Sequence, residues 1–451
     1  MSEGGTMKKL VYLMILAVFF GTQILAINVG FKLSLYRVLF LTISFIFLTL
    51  VINNDERVRF YPNKISNQYT LFYCWWVVSS LLSVIWVENI GGWIRANLFI
   101  TIGILSIIYI QLFIKEKKDL MSVFKIIALG TNIHILLGLT ELITGRYQWA
   151  SQHFMTKYRP GSNGFFSRIP ISIYPNENDY ATMLLMGSFF ILLLFKLSDK
   201  LYKKAFLLLS WLLAIFLMNQ TSSRANVLAL LMGLGVMFMA YIAPIISRRF
   251  VQVVTGITGG AVIALLIGMP AMRSKVSALL YLFSPEKEFA GTSNEIRINL
   301  LRNGLTFVRE TFGFGVGAGN VEYWMANKAA YQTGGMTNMH NWWMEIITAY
   351  GLITFILYLF VYFGMILKSY HYYRYSNDYF VRQVSLINLG YLVAFTMSSI
   401  SSATNIVNEW QWLVFGIMLA FYSYCERISV RNQLSIPKDN YNFTFLGGNH
   451  G

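Results

Sequence analysis

Apolar residues along this chain come in long runs rather than in alternation, and twelve such runs stand between breaks of charged or turn-forming residues. They cover residues 10–28, 35–52, 69–87, 96–114, 123–143, 180–195, 205–218, 226–245, 251–269, 342–367, 384–400 and 410–424. A helix needs about 20 apolar residues to cross a hydrocarbon core roughly 30 Å thick, whereas fully buried strands are far shorter. The pattern predicts an all-α polytopic membrane protein with about 12 transmembrane helices. The first run lacks a small-residue cleavage site and reads as a retained helix. No fixed-period repeat is visible.

The breaks are uneven, and two of them, 144–179 and 270–341, are much longer than the rest. The chain therefore divides into N-terminal helices (1–143), central helices with the first long loop (144–269), a large loop carrying amphipathic helices (270–341), and C-terminal helices with a tail (342–451). Placing the N-terminus in the cytoplasm gathers 21 Lys and Arg residues on that side, against Lys32, Arg37, Arg95 and Arg224 in the short connections opposite. Basic residues mark cytoplasmic loops, so both termini are expected in the cytoplasm and both long loops outside it. A site with moving parts is then expected on the outer face, where the long loops lie.

Composition agrees with this picture. Hydrophobic residues make up 56% of the 451 and charged residues 12%, with mean hydropathy +0.54, whereas a soluble globule carries about 25% charged residues. An ordinary soluble enzyme is excluded. The net charge of +16 reads as topology and attraction to anionic membrane lipids rather than as nucleic-acid binding. Cys74 falls within an apolar run and Cys425 at the far end of another, and both read as core residues, not a disulfide.

The candidate chemistry lies in and beside the second long loop. The segment NEIRINLLRNGLTFVRE (294–310) has helical periodicity, with Ile296, Leu300, Leu301, Gly304, Leu305 and Val308 on one face. Arg297 falls in the middle of that face and is expected to point inward, where a guanidinium needs an anion. That anion is either a ligand phosphate or a structural partner such as Glu177 or Glu345. Arg302 and Arg309 fall on the polar face, Arg302 being a further candidate substrate contact. Arg224, in TSSRAN (221–226), sits at the head of a span beside the hydroxyls of Thr221, Ser222 and Ser223, a setting that can surround an anionic group with donors. The alternative is a capped helix with a snorkelling Arg.

His340 opens HNWWMEIITAYG (340–351) at the junction of loop and span, where an imidazole can take a proton from an alcohol at neutral pH or serve a structural role. Trp342 and Trp343 form either a sugar-stacking platform or an interfacial aromatic belt. Asn341 is a candidate substrate contact, and Glu345, one helical turn from Asn341, is another that could orient His340 or pair with an Arg. GFGVGAGN (313–320) lacks the preceding strand and the Lys-Ser/Thr of a nucleotide loop, and reads as a tight turn passing near the site. No HExxH, CxxC or paired His supports metal ligation, and no cofactor is expected.

TSSRAN at the head of a span, the Arg of NEIR, GFGVGAGN and then HNWWMEIITAYG together resemble the O-antigen ligase and Wzy-type polysaccharide polymerase superfamily. PNEND (175–179), before the sixth run, resembles that family's Asn-containing element and makes Asn176 a candidate binding residue. Glu310-Thr311 departs from the acidic-Pro pair of many members. The resemblance covers about residues 174–363 and implies metal-independent glycosyl transfer at the outer face of the bacterial cytoplasmic membrane, from a polyprenyl-pyrophosphate-linked oligosaccharide donor to a glycan acceptor. Arg224 and Arg297 would hold the pyrophosphate and His340 would act as base. Polymerisation of capsular, exopolysaccharide or teichuronic-type repeat units is the preferred expectation, with flippase and chain-length regulator proteins as candidate partners. Ligation to lipid A core is the alternative. A flippase would need a similar cationic cavity, but also two similar halves and ionisable residues deep in several helices.

Overall fold

The computed structural model describes residues 3–28, 32–58, 64–147, 149, 164–244, 291–400 and 406–432. Within them α1 (Glu3–Ala17) continues through a 3-10 turn into the short α2 (Gly21–Ile24), followed by α3 (Leu35–Ile52), α4 (Ile65–Leu82), α5 (Ile90–Phe113), α6 (Lys117–Thr144), α7 (Glu177–Leu197), α8 (Leu201–Gln220) and α9 (Arg224–Ile242). Two helices of the long loop come next, α10 (Ser293–Glu310) and α11 (Val321–Lys328), then α12 (Trp342–Tyr375), α13 (Tyr379–Ser398) and α14 (Glu409–Asn432). Ten helices among the described residues are long and apolar enough to cross a membrane. The chain is a multi-pass membrane protein.

Three departures from the hydropathy reading have physical causes or limits. The run 251–269 lies outside the described residues. The run 410–424 forms α14 but is not among the ten apolar spans. Every residue from Trp410 to Ser423 is buried, and α14 packs between α4 and α5. A helix shielded from lipid by its neighbours can carry polar groups if they are bonded, and Gln411 accepts from the Tyr391 hydroxyl at 3.0 Å. Finally, the chain is not purely helical. The first span ends before Asn28, and Ala26–Asn28 (β1) pairs antiparallel with Lys32–Ser34 (β2), Ile27 opposite Leu33.

Local chemistry sets several helix starts. Ser34, Asn89, Thr292 and Asp378 each accept a backbone N–H of the first turn of α3, α5, α10 and α13, which satisfies donors that the helix itself cannot. Tertiary contacts then gather one set of ends. Arg37 at the head of α3 pairs with Glu409 at the head of α14 at 2.9 Å, the Trp342 N–H at the head of α12 donates to Ser399 O after α13 at 2.9 Å, and Lys328 pairs with Glu88 between α4 and α5. The long loop folds onto this loop end. Lys8 pairs with Asp119 (2.9 Å) and Arg427 donates to Lys115 O (2.6 Å) at the opposite end.

Beneath the loop end lies an aromatic core. Trp76, Trp342, Trp412 and Tyr358 are fully buried and meet edge to face, Trp76–Trp412 at 5.7 Å and Trp342–Tyr358 at 5.9 Å between ring centroids. Such pairs add about 0.5–1.5 kcal/mol each beyond their area burial. The Trp342 indole N–H donates to the Tyr358 hydroxyl at 2.8 Å. The first turn of α12 is thus anchored from below.

Candidate functional site

The head of α12 is assembled by its own sequence. Asn341 accepts from the N–H groups of Trp343 and Met344, so the residue before it must leave the helical path. That residue is His340, held at φ 48° in the left-handed region, where non-glycine residues are uncommon and often functional. Its ring is half-buried and makes no hydrogen bond among the described residues. Burial, and second the guanidinium of Arg297, push the imidazole below its ordinary pKa. His340 is therefore a neutral imidazole facing a cation, a pairing that suits proton acceptance.

Helix α10 delivers Arg297, though not in the way its periodicity suggests. Asn303 is fully buried and Asn299 nearly so, with Leu300 and Phe307, while Leu305 is exposed. The buried face is rotated from the apolar stripe because the two amides have backbone partners. Asn299 donates to Gln332 O and Asn303 donates to Tyr331 O, both at 2.8 Å, and Asn303 accepts from Tyr331 N–H. Bonded amides can be buried at little cost. The expected inward Arg297 is thus corrected to an exposed one, with no ion pair to Glu177 or Glu345 among the described residues. Gly304 lets α10 close onto α12, since a Cβ there would collide with Met339 and approach the Thr348 hydroxyl to 3.0 Å. Arg302 lies over the Tyr331 ring at 5.2 Å.

The glycine loop completes the packing. α12 is broken at Gly351 (φ 82°, ψ 175°), which frees carbonyls in the preceding turn. The loop supplies the missing donors: Val316 N–H to Thr348 O at 2.8 Å and Gly317 N–H to Ala349 O at 3.0 Å. A Cβ on Gly315 would lie 2.7 Å from Gly351 N, so the backbones meet only because both residues are glycine. Asn320 then ties the loop to the turn before α5, accepting from Asn89 N–H at 2.7 Å. The loop thus packs against the turn of α12 that precedes Gly351.

In TSSRAN the hydroxyls do not form a free ring of donors. Thr221 donates to Met218 O (2.6 Å) and Ser223 accepts from Asn226 (2.9 Å). Ser222 takes φ 61° and turns the chain so that Arg224 begins α9, its guanidinium exposed and without a hydrogen bond or ion pair among the described residues. Arg224, Ser222, Ser223 and Asn219 line a cleft of about 470 Å³. The link to His340 runs through Asn226, a fully buried residue that the sequence reading passed over. Its carbonyl accepts from Ser398 at 2.6 Å, and the adjacent Ser399 holds the head of α12. Asn226 sits in TSSRAN, so the signal was a buried-amide position at the head of a span.

Two other expectations are corrected. Trp342 is no sugar platform, because it is fully buried in the aromatic core; Trp343, half-buried, donates its indole N–H to Thr396 O at 3.2 Å. Asn176 spends both side-chain groups on capping α7, accepting from Asp179 N–H at 2.9 Å and donating to the Asp179 carboxylate at 2.6 Å. Glu345 lines a second cleft with Arg95 and Tyr350. The structure places His340 beside Arg297 and ties the heads of α9 and α12 together.

Residues 208–359 match the family model described as O-Antigen ligase, a span that holds Arg224, Arg297, Arg302, His340, Asn341, Trp342 and Glu345 and leaves out Asn176. Over 415 residues, 90% of this chain and 83% of the relative, the sequence is 28% identical to the Teichuronic acid biosynthesis protein TuaE of Bacillus subtilis (strain 168). The segment similar to the O-Antigen ligase family is the one that holds the heads of α9 and α12 together with α10, the glycine loop and α11.

Proposed function

We propose that this protein is a glycosyltransferase that polymerises polyprenyl-pyrophosphate-linked repeat units into a surface polysaccharide. The observation that carries the reading is the half-buried imidazole of His340, without a hydrogen bond among the described residues, beside Arg297 and within the segment that matches the O-Antigen ligase model. In the transfer, an acceptor hydroxyl oxygen bonds to the anomeric carbon of the donor sugar as the bond from that carbon to the pyrophosphate oxygen breaks. The hydroxyl proton passes to His340, and the polyprenyl pyrophosphate leaves with the electron pair. Arg224 and Arg297 neutralise the charge that develops on it, electrostatic stabilisation that is greatest in the transition state. Since the leaving group is already a stable anion, two cations and one base are enough.

The scarcity of basic residues in the short connections supports a loop end facing away from the cytoplasm, and with it a reaction at the outer leaflet of the cytoplasmic membrane and both termini inside. The name of the Bacillus relative favours a teichuronic-type or related acidic polymer as product. The description of the family model favours a second reading, ligation of finished glycan to lipid A core.

Reconstitution of the purified protein with a lipid-linked repeat unit alone tests the proposal. A ladder of glycan lengths on the lipid carrier is expected. Transfer that requires added lipid A core would instead make the protein a ligase, and passage of intact donor between leaflets without new bonds would make it a flippase.

A further inference from the structure

The loop end holds a second cleft, and its chemistry is opposite to that of the Arg224 cleft. About 310 Å³ of space lies between the start of α5, the start of α11 and the first turns of α12, at the small end of the roughly 300–1,000 Å³ of small-molecule sites. Arg95, Phe99, Glu322, Tyr323, Glu345 and Tyr350 line it. It shares no lining residue with the Arg224 cleft. Arg95 and Glu322 are exposed, and neither has an ion pair or side-chain hydrogen bond among the described residues, so both are available to a ligand.

Two carboxylates and one guanidinium make a poor pyrophosphate site, since like charges within a few ångströms repel. They make a good site for a polyol. Carboxylates accept from adjacent hydroxyls, a guanidinium donates to ring and hydroxyl oxygens in a planar fork, and aromatic rings cover the apolar face of a sugar. The floor is Ala349 and Tyr350 of α12, and Glu345 stands one turn after Asn341, its N–H donating to Asn341 O at 2.8 Å. A sugar held there lies next to the helix head that presents His340. The Gly319 backbone closes on Gly92 so tightly that a Cβ on Gly319 would strike Gly92 O, which fixes the wall between the glycine loop and α5.

We propose that this cleft binds the terminal sugars of the acceptor glycan, with Arg95 and Glu345 as its reading residues, and so divides the loop end into a cationic donor side and an acidic, aromatic acceptor side. The proposal rests on the glycosyl-transfer reading above. It is tested on the full-length protein in lipid nanodiscs with the repeat-unit oligosaccharide released from the host's own lipid carrier by mild acid and labelled fluorescently at its reducing end. Saturable binding is expected, weakened at least tenfold by Arg95→Met and Glu345→Gln and blocked by Val407→Trp at the rim, where Val407 is exposed; Arg224→Ala binds as the wild type does. In chain extension, Arg95→Met raises the acceptor KM and leaves the donor KM and kcat in place. No binding by the wild type, or loss with Arg224→Ala but not with Arg95→Met and Val407→Trp, overturns the acceptor site. Arg95-dependent binding by a wild-type protein that forms no glycosidic bond keeps the site and overturns the transferase reading.

Discussion

An imidazole that must take a proton is most useful when it stays neutral, and both causes acting on His340 work in that direction. Burial penalises the imidazolium, and the Arg297 cation repels it. With its pKa below the ordinary value of about 6.5, His340 stays deprotonated at neutral pH, and as the proposed base it is expected to lose rate only as pH drops under that value. Arg297→Gln removes one cause, so its acidic limb, normalised to its own plateau, is expected at higher pH than the wild type's. A pH–rate profile of kcat/KM that keeps its limb in Arg297→Gln would show that the two side chains do not communicate. His340→Ala is expected to abolish chain extension while retaining donor binding, and wild-type glycan lengths in that variant would end its assignment as base. Trp342 behaves otherwise, as a residue of the core. Trp342→Ala is expected to destabilise the fold by about 3–5 kcal/mol, read as a lower midpoint of thermal unfolding in detergent, and unchanged stability would contradict its place among Trp76, Trp412 and Tyr358.

At the scale of elements, the site depends on two close approaches that no apolar pattern announces. α10 lies against α12 across Gly304, and the glycine loop lies against the break at Gly351. Gly304→Leu is expected to move α10 outward, separating Arg297 from His340. Chain extension should fall at least tenfold while the protein still extracts as a folded monodisperse species, and full activity in a folded variant would show that the approach is dispensable. The helical nature of 294–310 was readable from its period, but the rotation that exposes Arg297 was not. It depends on Asn299 and Asn303 finding carbonyls at Gln332 and Tyr331, residues some thirty positions away, and an amide's partner is a tertiary fact.

At the scale of the whole molecule, the spans of the bundle follow from length and apolarity, while the distribution of Lys and Arg sets the expectation for their sides. Ala329, at the end of α11 and exposed, is expected to face outward. A cysteine there should react with impermeant maleimide added to intact cells; Cys74 is only partly accessible and Cys425 buried. Labelling confined to inverted vesicles would reverse the topology. Hydropathy also named α14 as a span, and its uniform burial explains why it carries more polar groups than its lipid-facing neighbours.

By itself the sequence determined that the chain crosses a membrane many times and where most of its described helices lie, and it named TSSRAN, NEIR and HNWW as the segments with candidate residues. These are one-dimensional properties: apolar length, period and charge sign are read from neighbours along the chain. Only the tertiary structure decided that Trp342 is core, that Asn176 is a cap, that Arg297 is exposed beside His340, and that Asn226 and Ser398 tie the heads of α9 and α12 together. Each of those depends on which distant backbone or side chain satisfies a polar group once water is excluded, and that pairing exists only after the helices have packed.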